Sequence, residues 1–157
     1  MTKPIPEGYH TITPTFVVKD GGKAIEFYKR AFGAKTEFLM PGPNGKGVMH
    51  ADLRIGDSPF MISDENPQNP CKSAETLGAS PVSFYIYTED ADAAFKKAVA
   101  AGATAKMQVQ DMFWGDRMGS VQDPFGYTWS VATRKQNLTP EQIAKGAEAA
   151  FAGMASK

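Results

Sequence analysis

The stretch WGDRMGSVQDPFGYTWS, Trp114 to Ser130, reads as a β-hairpin. Arg117 to Val121 and Tyr127 to Ala132 alternate in character as half-buried strands do. Asp123-Pro124-Phe125-Gly126 is the turn between them, because proline presets φ for a turn position and glycine supplies the positive φ that closes it. A weaker form of the same plan appears earlier as MHADLRIGDSPFMIS, Met49 to Ser63, with Gly56-Asp57-Ser58 as its turn. A hairpin that recurs points to an internal repeat.

Working outward, each hairpin is preceded by the same elements. In the first half, Thr11 to Val18 reads as a strand, and Asp20 caps a helix. That helix carries Ala24, Ile25, Tyr28, Ala31 and Phe32 at helical spacing and stops at Gly33. Thr36 to Met40, Val48 to Ile55 and Phe60 to Ser63 are the next strands. In the second half, Val82 to Tyr87 is a strand and Asp90 caps a helix with Ala91, Ala94, Phe95, Ala98 and Val99 on one face. Gly102 ends it, and Thr104 to Val109 leads into the hairpin. Both halves read β-α-β-β-β.

The expected fold class is α+β: two tandem β-α-β-β-β modules and a C-terminal helix. The expected divisions are an extended arm (1–10), a first module (11–64), a polar connecting loop (65–80), a second module (81–133) and a terminal helical segment (134–157). The loop is long for a connection inside a compact domain, which marks it as a linker or a functional loop. In the last segment Thr139-Pro140-Glu141-Gln142 is a capping box with Leu138 and Ile143 as a hydrophobic staple. Ile143, Ala147, Ala150, Phe151 and Met154 make a thin apolar stripe, expected to dock on the domain or on a second subunit.

Composition narrows the function. Lys+Arg and Asp+Glu each total 17 in 157 residues, so no net basic field argues for nucleic acid or an anionic membrane. No apolar run approaches the roughly 20 residues of a membrane helix. The opening MTKPIPEGYH lacks the apolar core of a secretory signal. Cys71 is the only cysteine, so no intrachain disulfide forms and a cytoplasmic location is expected.

The paired modules, the Ala24-Ile25-Glu26-Phe27-Tyr28 to Phe32-Gly33-Ala34 helix and the Asp123 to Tyr127 turn resemble the glyoxalase / bleomycin-resistance / extradiol-dioxygenase superfamily, also called vicinal oxygen chelate proteins. His50 to Gly56 and Asp111 to Arg117 are similar to its glyoxalase-like branch, also labelled demethylubiquinone-methyltransferase-like. No Gly-rich methyl-donor turn accompanies that likeness. The resemblance implies that each sheet curves into a half-cup with its helix outside. Two half-cups enclose a small ligand or a metal, often in a homodimer that shares the cup.

Strand alternation then assigns faces. Ile12, Phe16, Val18, Met49, Ala51, Leu53, Ile55, Val82, Phe84, Ile86, Trp129 and Val131 suit the helix-packed side. Thr11, Thr13, Thr15, Val48, His50, Asp52, Arg54, Ser83, Tyr85, Tyr87, Thr128, Ser130 and Ala132 are left for the cup. The metal ligands of relatives map by resemblance onto Thr13, Ser63 or Ile62, Ser83 and Ser130, where neutral hydroxyls are weak ligands for a divalent ion. No metal or other cofactor is expected.

The candidate ligand-binding residues are Thr13, His50, Ser83, Tyr85, Tyr87, Trp114, Arg117 and Ser130. Phe113 and Trp114 offer stacking area at the rim, and Arg117 a planar fork for an anionic group. The competing structural role is aromatics covering a sheet edge, with Arg117 paired to Asp116 or Asp111. Two functions stay open. One is a metal-independent homodimeric protein that holds a planar or anionic organic ligand. The other is a glyoxalase-like isomerase or lyase, working through non-standard metal ligands or with His50 as general base.

Overall fold

A computed structural model describes residues 2–154. The first module contains β1 (Thr15–Val18), α1 (Gly21–Phe32), β2 (Lys35–Pro41), β3 (Val48–Ile55) and β4 (Ser58–Asp64). A short helix, α2 (Ala74–Leu77), stands in the connection. The second module contains β5 (Ser83–Tyr87), α3 (Ala91–Ala100), β6 (Thr104–Asp111), β7 (Asp116–Gln122) and β8 (Thr128–Arg134), and α4 (Pro140–Met154) follows. The sheets have orders β1-β4-β3-β2 and β5-β8-β7-β6. In each, the first strand runs parallel to its neighbour and the rest are antiparallel. The α+β class and the tandem modules are as the sequence indicates.

Each helix starts on the same device. Asp20 accepts from the Lys23 amide and Asp90 from the Ala93 amide, both at 3.0 Å. A second tie then joins the helix start to the end of the last strand. The Gly21 amide donates to Asp64 Oδ1 at 2.5 Å, and the Ala91 amide to Thr133 Oγ1 at 2.9 Å. The repeat is therefore kept in hydrogen-bond roles where the residue letters differ.

One helix covers one face of each sheet, and α1 and α3 touch. The two covered faces merge into a single aromatic core. Phe16 of β1 lies 4.9 Å from Phe84 of β5, and Trp129 lies 4.4 Å from Phe84 and 5.3 Å from Tyr28, between ring centroids. At its centre Asp123 is 4% exposed. Its carboxylate accepts from Tyr28 Oη, Trp129 Nε1 and the amides of Phe125 and Tyr127, at 2.8–2.9 Å. Burial lifts this carboxyl above its ordinary value against the pull of those four donors. The open face of each sheet lies on the side away from this core.

Four face assignments change. The first strand starts at Thr15 instead of Thr11, because Pro14 has no amide for the ladder and the chain before it peels away. Ile12 is consequently 82% exposed and outside the core. Val82 precedes β5 and is 52% exposed. In β3 the register passes from Met40↔His50 to Pro41↔Val48, a bulge at Met49 that reverses the alternation, so Val48 is buried and Met49 exposed.

The segment after β4 is tied down. Glu65 Oε2 accepts from Ser73 Oγ at 2.7 Å and Thr76 Oγ1 at 2.6 Å, and Ala74 enters the core. The α4 capping box is reciprocal: Gln142 Oε1 accepts from the Thr139 amide, and Thr139 Oγ1 from the Gln142 amide. Gly146 lies against Phe113, and Phe151 meets the Phe113 ring at 6.2 Å, so α4 docks on the β6–β7 connection. The Met154 side chain lies outside the described residues.

Candidate functional site

Residues opposite one another in a ladder share a face, so the registers assemble the open face of the second module. Its rows are Ser83, Thr128 and Gln122; Tyr85, Ser130 and Ser120; Tyr87, Ala132 and Met118; and Arg134 opposite Asp116. Ser83, Tyr85, Tyr87 and Ser130, singled out from the sequence, therefore stand together.

Asp116 organises the end of this face. It is 2% exposed. Its Oδ2 accepts from Tyr85 Oη at 2.9 Å, Tyr87 Oη at 3.0 Å and Trp114 Nε1 at 3.2 Å. Its Oδ1 accepts from Arg134 Nε, and Arg134 Nη2 also donates to Tyr87 Oη at 3.1 Å. Burial raises the Asp116 carboxyl, but the bonds from Arg134, Tyr85 and Tyr87 outweigh it and hold it below its ordinary value. Burial and the neighbouring carboxylate push the Tyr85 phenol up to about 12. With their hydroxyls tied back to Asp116, Tyr85 and Tyr87 keep much of their ring surface exposed.

Trp114 reaches Asp116 because the connection before β7 is a tight turn. The Gly115 amide donates to the Met112 carbonyl at 3.0 Å, while the Gly115 carbonyl accepts from the amides of Lys135 and Gln136. Gly115 has φ +94, and a Cβ there would stand 2.5 Å from the Gln136 carbonyl oxygen. Only glycine serves at this position.

Arg117 does not join Trp114. Strand alternation turns it to the helix-covered face, where Nε and Nη2 donate to both Asp92 oxygens of α3 at 2.6 and 2.8 Å. Nη1 donates to Asp111 at 3.2 Å. In place of the ligand anion expected from the sequence, the Arg117 fork holds Asp92 and Asp111 inside the second module. Sequence reasoning missed Asp116 and Arg134 as parts of the site. The signal was present, since Trp114, Asp116, Met118 and Ser120 follow the period of two, as do Ser130, Ala132 and Arg134.

His50 belongs to the first module, and Thr13 to the arm that precedes β1. His50 Nε2 and Asp52 Oδ1 are 2.8 Å apart on β3. Asp52 shares a cavity of about 590 Å³ with Thr13 of the arm and Met61 of β4. The ladder puts Phe38 opposite Asp52 and Met40 opposite His50, so two exposed apolar side chains lie on this face.

The registers also revise the metal mapping. Thr15 and Tyr85 stand equally far before the capping residues Asp20 and Asp90, and they pair with Met61 and Ser130. Met61, not Ser63, is thus the counterpart of Ser130. Thr13, Met61, Ser83 and Ser130 offer hydroxyls and a thioether, a donor set that does not fit a divalent metal. Among the described residues no group of three or more His, Cys, Asp or Glu side chains is placed to hold a metal ion. Nor is any described helix long and apolar enough to cross a membrane.

Comparison with known proteins agrees with this architecture. The family model of the Glyoxalase/Bleomycin resistance protein/Dioxygenase superfamily matches residues 10–131. The protein Rv0887c of Mycobacterium tuberculosis is 39% identical over 135 residues, covering 84% of this chain and 79% of that protein. The X-ray structure of the Arabidopsis thaliana At5g48480 product superposes with a TM-score of 0.65 at 32% identity, covering 79% of this chain and 98% of the other. The crystal structure of TioX from Micromonospora sp. ML1 gives a TM-score of 0.63 at 24% identity over 80% of this chain and 98% of its own, a likeness of fold. Since the family match runs from the arm into the last strand of the second module, the chain belongs to the Glyoxalase/Bleomycin resistance protein/Dioxygenase superfamily.

Proposed function

We propose that this protein is a metal-independent binding protein that holds a planar organic molecule in its cup. One observation carries the reading: Asp116 draws Tyr85, Tyr87 and Trp114 to a single oxygen. Aromatic rings fixed before a ligand arrives lose little entropy on binding, which favours affinity. Ser83, Ser120 and Ser130 supply a few polar contacts on the same face, as ligand sites require. The cup closes in a homodimer. The first module's open face carries exposed Phe38 and Met40 and the second's carries Tyr85 and Tyr87, so each is half of an enclosure that a second copy completes.

The test is a panel of planar aromatic compounds followed by tryptophan fluorescence, with Tyr87→Ala and Trp114→Ala alongside. Each variant is expected to lose about fivefold or more in affinity while keeping a cooperative melt, since ring stacking contributes roughly 1 kcal/mol. Unchanged affinity in both variants would sink the reading. A selective rise in melting temperature with Ni²⁺, Zn²⁺, Mn²⁺ or Fe²⁺ would count against metal independence.

The His50–Asp52 pair supports a second reading. A carboxylate that orients an imidazole is the arrangement a general base uses. An isomerase or lyase acting through His50 would lose turnover in His50→Ala with ligand affinity largely kept.

A further inference from the structure

The segment before β1 is built against the first cup. Pro6 to Tyr9 forms a turn in which the Tyr9 amide donates to the Pro6 carbonyl at 3.2 Å. Arg54 of β3 clamps that turn: its Nη1 donates to the Gly8 carbonyl at 2.8 Å and to the Asp57 carbonyl at 3.1 Å. Its Nε and Nη2 grip Glu37 of β2. The guanidinium therefore joins the arm to β2 and to the β3–β4 turn, and it lies 6.0 Å from the Tyr9 ring centre. Tyr9 lines one cavity with Asp52, the carboxylate whose Oδ1 lies 2.8 Å from His50 Nε2. Terminal segments stay loose unless tied down, and this one has anchors at both Gly8 and Tyr9.

The arm roofs the first cup and leaves a cavity of about 590 Å³ beneath it, within the range of small-molecule sites. Pro4, Ile5 and Pro6 line it on the arm side and Met61 on the cup side. Asp52 is the only carboxylate in the lining; His10 is there, and no Lys or Arg is. A carboxylate has roughly four acceptor positions. His50 takes one of them.

We propose that the N-terminal arm is a wall of the ligand site, and that Asp52 beneath it selects organic molecules carrying a protonated amine and rejects carboxylates. This rests on the reading that the cups hold a small ligand, and it adds the ligand's charge class. The apolar body packs on Pro4, Ile5, Pro6 and Met61. The ammonium donates to Asp52 in the acceptor positions that His50 leaves open. Arg54 is a positioning residue: it holds the arm and does not reach the ligand.

The experiment uses two probes with one ring system and opposite charge, naphthylmethylammonium and naphthoate, titrated by naphthalene fluorescence into the full-length protein. The ammonium is expected to bind about tenfold more tightly, the scale of one charge-assisted hydrogen bond. Asp52→Asn is expected to erase that preference. Tyr9→Ala, or removal of residues 2–9, is expected to weaken the ammonium probe while the melt stays cooperative. Naphthoate binding as tightly as the ammonium, no binding of either probe, or arm removal without effect would each overturn the proposal. Tyr87→Ala separates the two readings. If it weakens both probes while the arm and Asp52 variants do not, the cup reading stands and the arm's role falls. If no variant changes anything, both fall.

Discussion

The hydroxyl of Tyr28, on the helix of the first module, donates at 2.8 Å to Oδ2 of Asp123, in the closing turn of the second. Trp129 Nε1 meets the same oxygen at 2.8 Å. The Asp123 to Gly126 turn thus does more than reverse the chain: its first residue is the polar centre of the core that joins the modules. Asp123→Ala leaves a phenol, an indole N–H and two backbone amides without their acceptor. Its expected cost is about 3 kcal/mol or more, against about 1 kcal/mol for Tyr28→Phe, which removes one bond. Urea unfolding of both variants checks this; equal losses would mean Asp123 is not the hub.

Asp116 governs the ionisation of the aromatic wall. The Tyr85 phenol stands at about 12, through burial first and then the Asp116 carboxylate. Asp116→Asn removes the charge and leaves the burial, so the Tyr85 value is expected to fall part of the way toward the ordinary tyrosine value of about 10. Ultraviolet titration of tyrosinate, with Tyr85→Phe subtracted, reads the change. A Tyr85 titration identical in the variant and the parent protein would contradict the arrangement.

Arg117 of β7 pairs with Asp92 of α3 and with Asp111 of β6. Arg117→Ala is expected to lower the melting temperature and to leave the affinity for planar ligands unchanged. A double-mutant cycle with Asp92→Ala is expected to show a favourable coupling that weakens in high salt, as for any partly exposed ion pair. Loss of affinity for anionic ligands in Arg117→Ala would restore the residue to the binding site.

Stability is expected to fall on the acid side. Hydrogen bonds from Arg54 hold Glu37 low, those from Arg117 hold Asp92 low, and those from Thr76 and Ser73 hold Glu65 low. Asp116 is also held low. A carboxyl with a depressed folded value contributes stability above its unfolded value and loses it as pH falls through the folded one. The decline therefore sets in from about pH 5 downward. Asp123 has the opposite sign: its raised value gives a contribution that is present in acid and is lost as pH rises through it. Melting temperature from neutral to acid pH checks the sum, and Glu37→Gln with Asp92→Asn is expected to flatten the acid limb. An unaltered slope would show that these pairs do not set it.

The sequence by itself determined the modules. Capping aspartates, a Gly33 stop, two hairpin turns and periods of two and of 3.6 are local signals, carried by backbone preferences and nearest neighbours. They place both helices and all eight strands to within a few residues. Where the local rules were obeyed inside a strand, the faces followed as well: Tyr85, Tyr87, Ser83 and Ser130 share one because side chains alternate. The failures at Ile12, Val82 and Met49 come from strand ends and a bulge, where pairing with another strand fixes the alternation.

Only the tertiary structure decided which charges meet. Arg117 finds Asp92, 25 residues away, in preference to its neighbour Asp116, and Asp116 finds Arg134, 18 residues away. Adjacent strand residues point to opposite faces, so closeness in sequence keeps Arg117 and Asp116 apart, while packing of α3 and the β7–β8 ladder supplies their partners. The arm's place over the first cup is of the same kind. Nothing in Pro6 to Tyr9 names its receptor, and the anchor is a guanidinium on β3 that reaches the arm only once the sheet has formed.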